Sequence, residues 1–172
     1  MSELDGIREN LWATEVDEVT YPEADFRRDL MEQYKLCLEM ADRISSRRGA
    51  ANSFFLTFNT AVVGALGAFF EEIPDAAAVV IYAAAILFCN AWMLLLRSYR
   101  NLTSAKFKVI GLLEERLPSS PFYSAEWKAL GEGKDWRKYI PLSPIETVVP
   151  IGFMVCYLYL AYITIAHASP VA

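Results

Sequence analysis

The stretch from Ser53 to Phe70, SFFLTFNTAVVGALGAFF, contains no Asp, Glu, Lys, Arg or His. It is close to the ~20 residues that a helix needs to cross a hydrocarbon core of roughly 30 Å. Two further stretches, Ala76 to Leu96 and Thr147 to Ala166, are equally free of charge. A helix on the surface of a soluble domain carries a polar face that returns with the helical period, and none of these three does. The chain is 55% hydrophobic and 22% charged, values common in soluble proteins. It is therefore the clustering of apolar residues that marks the stretches as membrane-spanning helices.

The charges around the spans orient them. All 16 Lys and Arg fall before Ser53 or between Arg97 and Lys138, whereas the loop Glu71-Glu72-Ile73-Pro74-Asp75 has three acids and no base. Basic flanks stay on the cytoplasmic side of a bacterial inner membrane, which predicts a cytoplasmic N-terminus and an external C-terminus. The first 50 residues are acidic and polar, unlike a cleavable signal peptide. Ser53 onward is therefore expected to act as an uncleaved anchor.

Working outward, residues 1–20 read as an acidic tail, and Thr20-Tyr21-Pro22-Glu23 has the spacing of a capping box. No proline lies between Glu23 and Phe70, and Phe26, Leu30, Tyr34, Cys37, Leu38, Ala41 and Ile44 recur at helical spacing. A cytoplasmic helix, 21–52, is thus predicted to run unbroken into a first span, 53–71. A turn at 72–75 follows, with Asp75 capping a second span, 76–97. Phe107, Ile110, Leu113 and Leu117 form a second stripe, so the second helix continues through 98–117. The fold class this predicts is an all-α membrane protein with three transmembrane helices. The first two form a long antiparallel hairpin with arms of roughly 65–70 Å that extend into the cytoplasm. Residues 118–143 form a connector with a short helix over Phe122 to Leu130, ended by Gly131 and Gly133. Its end, Lys134 to Tyr139, suits a headgroup layer. Ser143-Pro144-Ile145-Glu146 reads as a second capping box ahead of the third span, 144–166, where Pro150 is expected to cause a kink. Residues 167–172 are an external tail.

Polar groups inside the spans are the candidate functional residues. Asn52 and Asn59 are seven apart and share a helix face; Asn59 lies in hydrocarbon and needs a partner. Thr60 lies beside it, and Asn90 in the second span comes to a similar depth, so the two amides are expected to pair. Asn52, Asn59, Thr60 and Asn90 can act as interhelical glue, worth about 0.6–2 kcal/mol per bond, or can line a pore. Small residues, among them Gly64, Gly67 and Ala83 to Ala85, allow close helix approach and favour self-association. Arg43, Arg47 and Arg48 are candidate contacts for headgroup or other anions.

Enzymatic chemistry is not expected. Ser45 and Ser46 lack a partner base, no Gly-rich phosphate loop or HExxH pattern occurs, and His167 is the only histidine. Cys37, Cys89 and Cys156 show no metal-ligand or disulfide spacing and read as small buried residues. Neither a metal nor another cofactor is predicted, and a net charge of −5 argues against nucleic acid as a partner.

The segment Glu32-Gln33-Tyr34-Lys35, through Met40-Ala41-Asp42-Arg43-Ile44-Ser45-Ser46-Arg47-Arg48 and on to Asn52-Ser53-Phe54-Phe55-Leu56-Thr57-Phe58-Asn59-Thr60, resembles the RipA-like family of small octameric bacterial inner-membrane proteins. It is similar, more distantly, to SLATT-type membrane effector domains of bacterial conflict systems. The first resemblance implies a homo-octamer and supplies no catalytic residues. The second implies membrane perturbation, although this chain adds a third span and shows no sensor domain. Two functions follow as expectations. One is an octameric channel or membrane-perturbing assembly with Asn52, Asn59 and Thr60 towards the axis and Arg47 and Arg48 at its mouth. The other is a non-conducting scaffold or regulator whose cytoplasmic helices bind a partner protein. The lipid bilayer and further copies of the chain are partners in both.

Overall fold

A computed structural model describes residues 3–12, 21–133 and 142–168. Its elements are α1 (Glu3–Leu11), α2 (Glu23–Ala68), α3 (Asp75–Glu114), a π-helical turn (Pro121–Glu126) running into α4 (Trp127–Ala129), a 3-10 turn (Gly131–Gly133) and α5 (Leu142–Ala168). No strand occurs among the described residues.

The 46 residues of α2 form one helix because nothing in them breaks it. Glu23 and Asp25 meet the positive end of the helix dipole in its first turn. The pairs Glu23–Arg27 and Glu39–Arg43 then place the acid four residues ahead of the base, the favourable order. Past Ala68, Phe69 still donates to the Ala65 carbonyl, and the Glu72 and Ile73 amides both turn back to Phe69 before Pro74. Asp75 is the first residue of α3, where the Pro74 carbonyl accepts from the Ala78 amide. At the other end of α3 the helix stops at Glu114, ahead of the expected Leu117. The amides of Arg116 and Leu117 bond three residues back, to Leu113 and Glu114, tightening the chain towards Pro118.

The chain divides into two units, each containing part of α2 and part of α3. The first comprises residues 1–46 and 100–141. Its core is Leu30, Tyr34, Ala41, Ile110 and Leu113, with Trp12, Phe26 and Leu117 packed at the edge. Burying each of the aliphatic side chains contributes about 1.5–3 kcal/mol relative to water. Residues 1–20 are expected to be a tail, but Glu3–Leu11 is helical and its end is docked. Arg8 makes two bonds to the Glu115 carboxylate, of 2.9 and 2.8 Å, and the Arg116 guanidinium lies 3.6 Å from the centre of the Trp12 ring. Apolar periodicity misses this docking because an ion pair and a cation–π contact hold much of it.

The second unit, residues 47–99 and 142–172, contains the three candidate spans. α2 and α3 are antiparallel: Trp92 bonds Asn52 and Cys89 bonds Asn59. α5 runs parallel to α2, since Arg48 pairs with Glu146 and Asn59 with Tyr157, both at an offset of 98 residues. Leu66, Ala78, Tyr82, Ala85, Cys89 and Tyr157 form the core. Lipid is as apolar as this core, so close packing and hydrogen bonds must hold it together. Large apolar side chains such as Val80, Leu87, Leu94, Val148 and Tyr162 point outward, as a lipid solvent requires.

Candidate functional site

Asn59 is completely buried. Its amide nitrogen donates to the Phe55 carbonyl one turn back, at 2.8 Å. Its side-chain oxygen accepts from Cys89 Sγ at 3.2 Å and from the Tyr157 hydroxyl at 3.1 Å. Tyr157 also lies 3.3 Å from the Asn59 backbone carbonyl. One side chain of α2 thus ties together α3 and α5, and each of its polar atoms has a partner. The expected Asn59–Asn90 pair does not form. Cys89 faces α2, so Asn90, about 100° further round the helix, is turned aside and donates to Ile86 of its own helix at 2.9 Å.

The other predicted polar residues divide by face. Asn52 accepts from the Trp92 indole at 3.0 Å, and Trp92, buried and stacked on Phe55, closes the α2–α3 seam above Asn59. Thr60 is exposed and bonds only backwards, to Leu56. With Ser53, Thr57, Gly64 and Gly67 it forms an exposed stripe at spacings of four and three along α2. Beyond the adjoining residues and the backbone of α2 itself, no atom comes within 4 Å of where a Cβ would stand on Gly64 or Gly67. This face is therefore open to a closely packed neighbour.

The three arginines also have different environments. Arg43 pairs with Glu39, and Arg47 is exposed with no acidic partner among the described residues. Arg48 makes a two-pronged ion pair with Glu146, at 2.7 and 3.3 Å, with the two side chains only 16% and 19% exposed. Expected among the headgroups, Arg48 instead fastens α5 to α2. Glu146, read as the acid of a capping box, is used by Arg48. The side chain of Ser143 lies outside the described residues, as do Thr20 of the first capping box and the Lys134-to-Tyr139 segment.

Sequence reading overlooked a second polar cluster, which lies in the first unit. Glu114 is 2% exposed and accepts four hydrogen bonds. They come from the Tyr34 hydroxyl at 3.0 Å, Ser120 Oγ at 2.6 Å and the Phe122 and Tyr123 amides, both at 3.1 Å. Burial pushes the Glu114 carboxyl up, but the bonds from Ser120, Tyr123, Phe122 and Tyr34 outweigh it and hold the group below its ordinary value. Burial, with the Glu114 bond and charge, pushes Tyr34 up to about 12. Gly111 completes the latch: a Cβ there would stand 2.5 Å from the Tyr123 ring. The result is a turn fixed to the end of α3, with Phe122, Tyr123 and Trp127 exposed on it.

A cavity of about 40 Å³ among Leu66, Phe70, Ile73, Asp75, Ala78, Tyr82 and Thr164 has room for water but not for an organic substrate. Among the described residues no group of His, Cys, Asp and Glu is arranged to hold a metal.

Three apolar helices joined by buried polar bonds define an α-helical, multi-span membrane protein. The model of the octameric membrane protein family (8xMP) matches residues 31–166, well over half of the chain, and the chain belongs to that family. Comparison with curated proteins and with solved structures finds no match.

Proposed function

We propose that the chain forms an octameric, non-catalytic and non-conducting scaffold of the bacterial inner membrane. In this reading its N-terminus is cytoplasmic, its C-terminus external, and its water-facing helices dock a partner protein. The observation that carries the reading is the complete burial of Asn59. A residue lining an aqueous axis would offer its amide to water, whereas this amide is consumed inside one protomer by Phe55, Cys89 and Tyr157. Asn52 is engaged in the same way by Trp92. The parallel course of α2 and α5 fits a chain whose ends lie on opposite sides of the bilayer, and the distribution of Lys and Arg supports the cytoplasmic N-terminus. The open Ser53–Thr57–Thr60–Gly64–Gly67 face suits contact between copies, because small residues let helix backbones approach.

A second reading has one observation in its favour. The same exposed hydroxyls of Ser53, Thr57 and Thr60 would give a polar lining if this face turned to the octamer axis. Flux from liposomes holding the reconstituted octamer separates the two readings. The scaffold predicts leakage of potassium and of a small dye no faster than from empty liposomes. Protein-dependent leakage that Thr60→Trp abolishes would establish the conduit.

A further inference from the structure

The first unit carries two exposed apolar patches. Residues 121–129 are exposed along their whole length although they include Phe122, Tyr123 and Trp127. Glu114 accepts from the Phe122 and Tyr123 amides, so this segment is fixed in place. The second patch is Leu36 and Met40, one turn apart on α2 and 58% and 50% exposed. Tyr34 bonds Glu114, and Lys106 lies 4.0 Å from Met40 Sδ, so Leu36 on α2 is level with about Gly111 on α3. Leu36 is two residues, about 200°, round α2 from the core residue Tyr34. Gly111, which lies against the Tyr123 ring, is about 200° round α3 from the core residue Leu113. Each patch is thus on the outer side of its own helix, and the two lie back to back across the shared core. Their charges are complementary: neither Lys35, beside Leu36, nor Glu126, beside Trp127, makes an ion pair among the described residues.

In a closed ring each copy meets its two neighbours through two different surfaces, and the chain belongs to an octameric family. Two unlike patches, level and back to back, with a base at one and an acid at the other, meet that requirement. Aromatic residues and Met are also the side chains enriched where proteins associate. We propose that residues 121–129 of each copy dock on the Leu36–Met40 face of α2 in the next copy, with Tyr123 and Trp127 against Leu36 and Met40 and Glu126 near Lys35. The Glu114 bonds hold the segment's backbone before it meets the neighbour, so docking costs little ordering. The inference rests on the octameric reading and is independent of whether the octamer conducts.

Disulfide cross-linking in lipid nanodiscs, with the three native cysteines replaced, tests this. Leu36→Cys with Trp127→Cys in one chain is expected to give, on oxidation, a ladder of linked copies that climbs to the octamer. Octamers mixed from chains carrying only one or the other substitution should stop at dimers, because each cysteine then has one neighbour to reach. Lys35→Cys with Glu126→Cys, at exposed positions that leave the core untouched, should give the same ladder. Glu126→Lys should slow the linkage of positions 36 and 127 about two- to fivefold, and adding Lys35→Glu should restore it to within about twofold. An assembly of octameric mass that forms neither ladder would leave these patches to a different protein and overturn this inference alone. A smaller assembly would overturn the octameric reading with it. Linkage in Leu36→Cys alone, which joins like surfaces, would also overturn the proposal.

Discussion

Asn59→Ala combined with Tyr157→Phe isolates the bond that joins the first and third spans. Tyr157 approaches two acceptors, both on Asn59: the side-chain oxygen at 3.1 Å and the backbone carbonyl at 3.3 Å. Truncating Asn59 removes the first and leaves the second, so the hydroxyl is not stranded. Interhelical bonds in membranes are worth about 0.6 kcal/mol on average and reach about 1.7. The retained carbonyl pulls the coupling towards the lower part of that range, about 0.5–1 kcal/mol. The Asn59→Ala variant alone should cost more, about 1–3 kcal/mol, because it also orphans the weak Cys89 donor and opens a void between three helices. Reversible unfolding of the octamer in mild detergent, run on the parent, both single variants and the double variant, gives the coupling directly. A coupling below about 0.3 kcal/mol would refute the claim that this hydroxyl and amide hold the third span. Equal losses from Asn59→Ala and Asn90→Ala would refute the distinction drawn between the two amides.

Three further outcomes follow from the first unit. Glu114 has a folded value below the ordinary carboxylate value of about 4.3. Its contribution to stability should be complete above that value and lost as pH falls through the folded one, and Glu114→Gln should flatten this acid limb in hydrogen exchange of residues 108–123. Tyr34, raised to about 12, acts in the opposite direction: its contribution is complete below about 10 and is lost as pH rises through 12, and Tyr34→Phe removes that alkaline limb. Gly111→Ala should cost about 1–3 kcal/mol by driving a methyl into the Tyr123 ring. Adding Tyr123→Ala should recover much of that loss; failure to recover it would mean that the ring is not what Gly111 accommodates.

The three spans and the long hairpin were legible because uncharged runs of this length have few other uses and because nothing between Glu23 and Ala68 interrupts a helix. Asn59 was legible as a residue that needs a partner. Its partners were not, since Tyr157 lies 98 residues further along the chain and nothing in the surrounding tyrosines singles it out. Depth alone suggested Asn90. A rotation of one residue favours Cys89 instead, and the sequence carries no record of that rotation. In sequence Glu114 is one acid beside the Ile110–Leu113 stripe, with nothing to distinguish it from a solvated carboxylate. It is buried because the chain after Pro118 folds back and supplies two amides and a hydroxyl, an event set by backbone geometry. The nearest available hints were Gly111, three residues earlier, and the Ser-Ser-Pro turn six residues later. Arg48 illustrates the same limit, because a basic flank and half of an ion pair look alike until the other half is placed.

The most direct measurement is the water accessibility of α2 in the assembled octamer. With the three native cysteines replaced, cysteines at positions 57, 59 and 60 would be treated with a membrane-impermeant thiol reagent, and assembly checked before and after. The scaffold account predicts no labelling at any of the three: 59 is sealed within the protomer and 57 and 60 face a neighbouring copy. Rapid labelling at 57 and 60 with 59 silent would place those hydroxyls on a water-filled axis and contradict the non-conducting reading. Labelling at 59 in a correctly assembled octamer would contradict the buried three-helix junction itself.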